Sequence, residues 1–267
     1  MITTAELNIM LEIATKTAQK AGKFAQNGRN QTRSSLKFGE EIVTQYDPQC
    51  QKIIIDDITA TFPEHGIIAE EGEDGKLFKQ NPDGNDIWWV IDPIDGTRNF
   101  AHGLPYFAVS VGCIADGMPV VGVIYDPCTN TIFTGHRDCE PMCNGKVFEK
   151  NEAILDSNSQ IALSSKTYKN YPELTAKIQS DYVPVNLGSA ALHYAYTAKG
   201  AYAASLAHAV KLWDIAAGAA LVFNTDIVVK SPTGKDLFPF DCESYHGEKV
   251  PVIFASQNIC DELLKMV

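Results

Sequence analysis

The chain has 267 residues, 45% of them hydrophobic and 21% charged, which excludes an intrinsically disordered segment and suits a globular protein with a sizeable core. Against 22 basic residues stand 33 acidic ones, a formal net charge of −11, and no Lys/Arg run offers the basic footprint that nucleic acid requires. No apolar stretch approaches bilayer length, so neither nucleic acid nor membrane is an expected partner.

Thr3 and Glu6 make a capping box. Leu7, Met10, Leu11, Ala14, Ala18 and Ala21 then recur at helical spacing, predicting an amphipathic helix to Gly22 or slightly beyond. Residues 41–46 read as a short strand or loop edge. Asp47-Pro48 then opens a second helix, with Asp as cap and Pro at the first position, running through Ile53, Ile54 and Ile58 and stopping before Pro63. A strand over 66–69 leads into Glu70-Glu71 and a polar loop, and the continuous apolar run 87–91 predicts a buried strand. Two more strands, 106–114 and 120–125, flank a turn at 116–119, and Asn144-Gly145 is a tight turn. The second half predicts a strand at 161–163, helices at 171–179 and 190–199, a strand at 201–206, a small-residue helix at 213–223 and a last helix or turn at 261–266. Helices layered on sheets give an α/β architecture of two lobes, 1–150 and 151–267, fused into one unit.

The seven cysteines are an odd number, and the N-terminus reads as a capped helix rather than a secretory leader, so a reducing cytoplasm is the expected location. His136, Cys139 and Cys143 lack a fourth ligand at motif spacing, and structural zinc is not expected. His102, His193 and His208 sit in no Ser/His/Asp or Cys/His arrangement and read as core or surface histidines.

The chemistry concentrates in Asp92-Pro93-Ile94-Asp95-Gly96-Thr97-Arg98-Asn99-Phe100. A buried strand ends there and presents two carboxylates. Pro93 removes a competing donor, Gly96 lets backbone approach a ligand, and a helix opening at Thr97 would turn free amides toward the same point. Hard oxygen ligands beside an anion cradle are what magnesium uses when it shares a phosphate's oxygens.

This run resembles the signature of the inositol monophosphatase family, Asp-Pro-Ile/Leu-Asp-Gly-Thr-x-Asn-Phe. Lys37-x-x-x-Glu41-x-Val43-Thr44-x-x-Asp47 resembles that family's N-terminal motif, and Glu70-Glu71 its acidic pair. Gly188-Ser189-Ala190-Ala191 and Trp213-Asp214-Ile215-Ala216-Ala217-Gly218 resemble its later motifs, so the likeness spans roughly residues 5–250. It implies one domain over 1–267 with the sugar-phosphatase fold, an αβαβα sandwich of helices and two mixed β-sheets. The N-terminal lobe would bring most metal ligands, the C-terminal lobe the substrate pocket and the last one.

The implied reaction is magnesium-dependent hydrolysis of a small phosphate monoester, inositol monophosphate first, by metal-activated water, with two or three Mg2+ per site. Glu70, Asp92 and the Ile94 carbonyl would hold the first ion, and Asp92, Asp95 and Asp214 the second. A third would lean on Glu70. Thr97, hydrogen-bonded to Asp47, would orient the water with Glu70. Asp95, Gly96, Thr97, Gly188, Ser189 and Ala190 would contact substrate, with Glu71 and Lys37 behind. A homodimer is also implied.

Two positions depart from the family. Ala207 stands where an acidic residue usually meets substrate hydroxyls, and Phe223-Asn224-Thr225-Asp226 replaces a Glu-Ala-Gly-Gly stretch. Both bear on substrate, leaving histidinol phosphate, fructose 1,6-bisphosphate or a phosphoadenosine nucleotide as alternatives, and a non-catalytic metal-binding homologue as another class. A haloacid-dehalogenase-like phosphatase is disfavoured because its aspartates are separated by one residue, whereas Asp92 and Asp95 are separated by two.

Overall fold

The computed structural model describes residues 2–37, 41–149 and 154–266, with the side chains of Lys37, Glu41 and Asp74 outside that description. In chain order come α1 (Thr4–Gly28), β1 (Ser34–Lys37), β2 (Glu41–Thr44), α2 (Tyr46–Thr61), β3 (Gly66–Ala69), β4 (Phe78–Gln80) and β5 (Ile87–Asp95). Next are α3 (Thr97–Ala101), β6 (Ala108–Ala115), β7 (Met118–Asp126), β8 (Thr131–His136), β9 (Met142–Cys143) and β10 (Lys146–Val147). The second half holds β11 (Gln160–Leu163), α4 (Thr167–Asn170), α5 (Pro172–Asp181), β12 (Val183–Val185) and α6 (Ala190–Ala198). It closes with β13 (Ala204–Val210), α7 (Leu212–Leu221), β14 (Ile227–Lys230), β15 (Val250–Ser256) and α8 (Gln257–Leu264).

Two mixed sheets organise these elements. The larger has the order β10-β9-β8-β7-β6-β5-β3-β4, antiparallel except where β3 meets β5. The smaller has the order β12-β11-β13-β15-β14, with β11 parallel to both of its neighbours. Alternation along β5 joins the layers: Trp89 and Ile91 face α1 and α2, while Trp88 and Val90 face α6 and α7. That is why the segment reads as an unbroken apolar run. The five-stranded sheet packs on the far side of α6, and α4, α5 and α8 cover its outer face. The layering is therefore αβαβα, as the family resemblance implied.

Two glycines let α7 lie close on the large sheet. A Cβ at Gly112 would stand 2.7 Å from the Ala217 nitrogen, and one at Gly122 would collide with the Ala217 carbonyl oxygen. Small residues on both partners thus fix the depth of α7, and with it the position of Asp214 at its start.

The Thr3–Glu6 capping box is present, and the helix it starts runs on to Gly28. The expected role of Asp47 as a helix cap needs correction. Gln45 occupies the cap position and Asp47 lies inside the first turn of α2, where its Oδ2 accepts from the Thr44 N–H at 2.9 Å. Pro48 falls in the same turn, where a missing N–H leaves no intrahelical bond unmade. The strand predicted over 87–91 continues to Asp95, because Asp92 still pairs with Ser110 and, past an irregularity, Asp95 with Ala108.

Candidate active site

The site forms where β5, α6 and α7 meet. Asp92 and Asp95 end β5, both buried, and Asp214 lies in the first turn of α7. One carboxylate oxygen from each falls within 4.8 Å of the others. Local bonds aim all three. Asp92 Oδ1 accepts from the Ile94 N–H at 3.0 Å, and Asp214 Oδ2 accepts from the Lys211 N–H at 2.6 Å. Asp95 Oδ2 accepts from the Ala191 N–H at 2.7 Å and from the Ser189 hydroxyl, so the N-terminus of α6 is turned onto this carboxylate.

Burial pushes Asp92 well above the usual carboxylate range, and the charges of Glu70, Asp95 and Asp214 add to the shift. Asp214 is raised likewise by burial and then by Asp95. Asp95 is pushed up only to about 6, because Ser189 and the α6 amides offset part of its burial. Carboxylates packed this way repel one another, and a hard divalent cation would relieve the repulsion with an all-oxygen donor set. A cation held there would compete with protons for these carboxylates.

Glu70 follows β3, with its backbone N–H donating to the Ile91 carbonyl at 3.3 Å, and its charge acts on all three aspartates. Gln51 holds the Glu71 backbone through both amide groups, at 2.5 and 2.8 Å. Thr97 Oγ1 lies 2.9 Å from the Ile94 carbonyl and 3.2 Å from Asp47 Oδ1, tying α2 to the end of β5. Gly96 turns the chain at φ +92°, where a Cβ would stand 2.8 Å from the Tyr106 carbonyl oxygen. Asn99 donates from Nδ2 to the carbonyls of Tyr106 and Leu187, 2.7 Å each, stapling the loop before α6 to the loop after β5.

Cavities flank the carboxylates on two sides. One of about 150 Å3 is lined by Asp95, Asp214, Ser164, Ser165, Asn186 and His193, among others. Another of about 350 Å3 includes Glu70, Lys76, Lys211, Trp213 and His246.

A model of the inositol monophosphatase family matches residues 6–262. The chain belongs to that family. It is 35% identical over 264 residues to the Nus factor SuhB of Escherichia coli K12, covering 95% of this chain and 97% of the relative. Identity is 32% over 234 residues to the fructose-1,6-bisphosphatase/inositol-1-monophosphatase of Thermotoga maritima, covering 85% and 83%. The crystal structure of the suppressor protein suhB from Bartonella henselae superposes with a TM-score of 0.86 at 26% identity, over 97% of this chain and 98% of that one.

The family motifs converge at this site, with adjustments. Asp92, Asp95 and Asp214 come together, with Glu70 beside them. Ser189 and Ala190 line the smaller cavity, but the Ser189 hydroxyl and the neighbouring amide are directed to Asp95 and not left open to a ligand. Gly188 lines it too, at φ +74°, and a Cβ there would stand 2.7 Å from Asn99 Nδ2. The Lys37 side chain lies outside the described residues. Ala207 lines neither cavity beside the carboxylates: it is 4% exposed, and the gap it borders is shared with Thr167, Tyr171, Leu174 and Leu206. Val210 lines the smaller cavity; Ala207, on the same face of β13 across the register irregularity, packs in the cluster that holds Leu212 and Trp213.

His193, expected to be a core or surface histidine, lies in the core and has a local task. Its Nε2 accepts from the Leu187 N–H at 2.8 Å, holding the loop before α6, and burial lowers its pKa to about 4. His136 has its ring nitrogens near Asp138 N and Asn8 Oδ1. Among the described residues, the one group of three or more such side chains close enough for a metal is the aspartate cluster. All seven cysteines are free. No helix among the described residues is long and apolar enough to cross a membrane.

Proposed function

We propose that this chain is a magnesium-dependent phosphomonoesterase for a small polyol phosphate, with inositol monophosphate as the first candidate. The observation that carries the reading is the convergence of Asp92, Asp95 and Asp214 between two cavities. Asp92, Asp95, Asp214, Glu70 and the Ile94 carbonyl would hold two or three Mg2+. When bound, magnesium supplies the positive charge that polarises the phosphoryl group and acidifies water. Residues 1–267 act as one unit, the first half giving Glu70, Asp92 and Asp95 and the second giving Asp214.

The chain's own groups do the positioning. The Thr97 hydroxyl, set between Asp47 and the Ile94 carbonyl, directs its proton to Asp47 Oδ1 and leaves a lone pair to orient the attacking water. Glu70, lining the larger cavity, is the base on that side. In hydrolysis the water oxygen bonds to phosphorus as the P–O bond to the alcohol breaks, and the alcohol takes up a proton. Ser164, Ser165 and Asn186 offer neutral donors and acceptors for substrate hydroxyls. The family resemblance adds a homodimer in the cytoplasm; light scattering should then give twice the chain mass.

A bisphosphorylated sugar is the second reading. Lys76, Lys211 and His246 around the cavity beside Glu70 favour it, as does the bifunctional name of the Thermotoga maritima relative. Phosphate release from inositol monophosphate, fructose 1,6-bisphosphate, histidinol phosphate and a phosphoadenosine nucleotide, each with and without magnesium, separates the two. Release from none of them under magnesium would leave the non-catalytic class standing.

A further inference from the structure

His193 has a second ring nitrogen that the scaffold leaves uncommitted. The residue stands in the first turn of α6, 3% exposed, and lines the smaller cavity together with Asp95 and Asp214. Its Nε2 accepts from the Leu187 N–H. A backbone amide can only donate, so Nε2 carries its lone pair there, and a neutral imidazole then keeps its one proton on Nδ1. Burial holds the pKa at about 4, so at neutral pH the ring is uncharged. Nδ1 is therefore a donor, and its tautomer is set by the fold.

Among the described residues that donor has no partner within the protein. Nor is it sealed: the buried polar side-chain atoms that lack both partner and solvent are Tyr194 Oη, His208 Nδ1 and Ser256 Oγ. Nδ1 thus opens on free space, and the cavity that His193 lines is the one of about 150 Å3 beside the carboxylates. Much of the remaining polar lining is engaged. Asn186 Oδ1 accepts from the Gly188 N–H at 2.8 Å, and its Nδ2 donates to Ser165 Oγ at 3.3 Å. Ser164 Oγ accepts from the His208 N–H at 3.3 Å and lies 3.0 Å from Thr167 Oγ1. The Ser189 hydroxyl is given to Asp95. No Lys or Arg is among the described lining residues, so a second phosphate would find no cation here. A hydroxyl both accepts and donates, and it suits a wall of carboxylates facing an imidazole N–H.

We propose that His193 is a specificity-determining residue, whose Nδ1–H donates to a hydroxyl oxygen of the polyol part of the substrate in the smaller cavity. The inference rests on the polyol-phosphatase reading above and adds which part of the substrate this cavity takes and what recognises it. One ring then has two tasks: Nε2 holds the loop before α6, and Nδ1 meets the substrate.

The test compares inositol monophosphate with cyclohexyl phosphate, which has the same ring without free hydroxyls, in saturating magnesium, on the wild-type chain and on His193→Gln. Glutamine can put its side-chain oxygen where Nε2 accepts from Leu187, and it offers no donor at the Nδ1 position. The ratio of kcat/KM for inositol monophosphate over cyclohexyl phosphate should fall about three- to tenfold in the variant, chiefly through KM, as expected for one neutral hydrogen bond made in ground and transition states alike. A role confined to holding the loop would lower kcat for both substrates and leave the ratio unchanged; that result would overturn the proposal while the phosphatase reading stands. Phosphate release from neither substrate by the wild-type chain would sink the reading and the proposal together. Nitrogen-15 imidazole spectra of the wild-type chain need no variant: His193 should carry its proton on Nδ1, and a proton on Nε2 instead would rule the contact out.

Discussion

Thr97→Val removes one hydroxyl and keeps the shape. In the structure that hydroxyl has a single proton and two acceptors, the Ile94 carbonyl at 2.9 Å and Asp47 Oδ1 at 3.2 Å. Asp47 keeps the Thr44 amide on its other oxygen, so the carboxylate stays anchored when Thr97 loses its hydroxyl. The stability loss should therefore be that of one part-buried hydrogen bond, about 1–2 kcal/mol by urea denaturation. Turnover should fall much further, because a water that was oriented and relieved of its proton loses its partner; positioned acid–base groups contribute on the order of 10²–10⁴-fold. Steady-state kinetics in saturating magnesium should show kcat reduced by about a hundredfold or more and KM changed less than about threefold. Thr97→Ser should recover most of the loss, since it restores the hydroxyl. A rise in KM at unchanged kcat, or a Ser variant as impaired as the Val variant, would refute the water-orienting role.

Other expectations test the scaffold around the site. The folded pKa of His193 is about 4 against an ordinary 6.5, so below pH 6.5 the unfolded chain takes a proton that the fold refuses, and the stability present at neutral pH is lost as pH falls toward 4. Between pH 7 and pH 5 this loss is about 2 kcal/mol, and His193→Gln should flatten the urea-measured slope in that window; an unchanged slope assigns it to other groups. Gly122→Ala should destabilise by about 1–3 kcal/mol through collision with Ala217, whereas Gly135→Ala, whose Cβ finds its nearest neighbour at 3.3 Å, should cost less than about 1 kcal/mol. Equal losses would mean that α7 yields freely. Ala207→Glu should lower stability by several kcal/mol by burying a carboxylate, with no gain for inositol monophosphate over an aryl phosphate. A stable variant with a raised ratio would put residue 207 in the pocket after all.

The sequence made the chemistry legible where it was written in contiguous residues. Asp92 to Phe100 carry strand end, ligands and turn in one run, and the apolar segment before them could only be a buried strand. Asp214 was found through its own motif, although only the packing of α7 on Gly112 and Gly122 brings it to Asp92. What escaped notice depended on distant partners. β8, β14 and β15 alternate weakly or lie among polar residues, and they become strands because β7 offers an edge to β8, β13 to β15, and β15 in turn to β14. Asp47 before Pro48 has the local look of a cap; its carboxylate instead bonds Thr44 and Thr97, the latter fifty positions away.

The most direct measurement replaces Asp95 with Asn and follows both magnesium binding and phosphate release. Asparagine keeps the shape and can still accept from the α6 amide, but it removes a charge from the point where Asp92, Asp95 and Asp214 come within 4.8 Å. The wild-type chain should release phosphate only when magnesium is present. The variant should stay folded, bind magnesium at least tenfold more weakly by calorimetry, and turn over at least a hundredfold more slowly, about 2.7 kcal/mol of lost transition-state stabilisation. A folded Asp95→Asn chain that keeps more than about a tenth of wild-type turnover, or wild-type turnover that is indifferent to magnesium, would contradict the carboxylate cluster as the metal-binding catalytic centre.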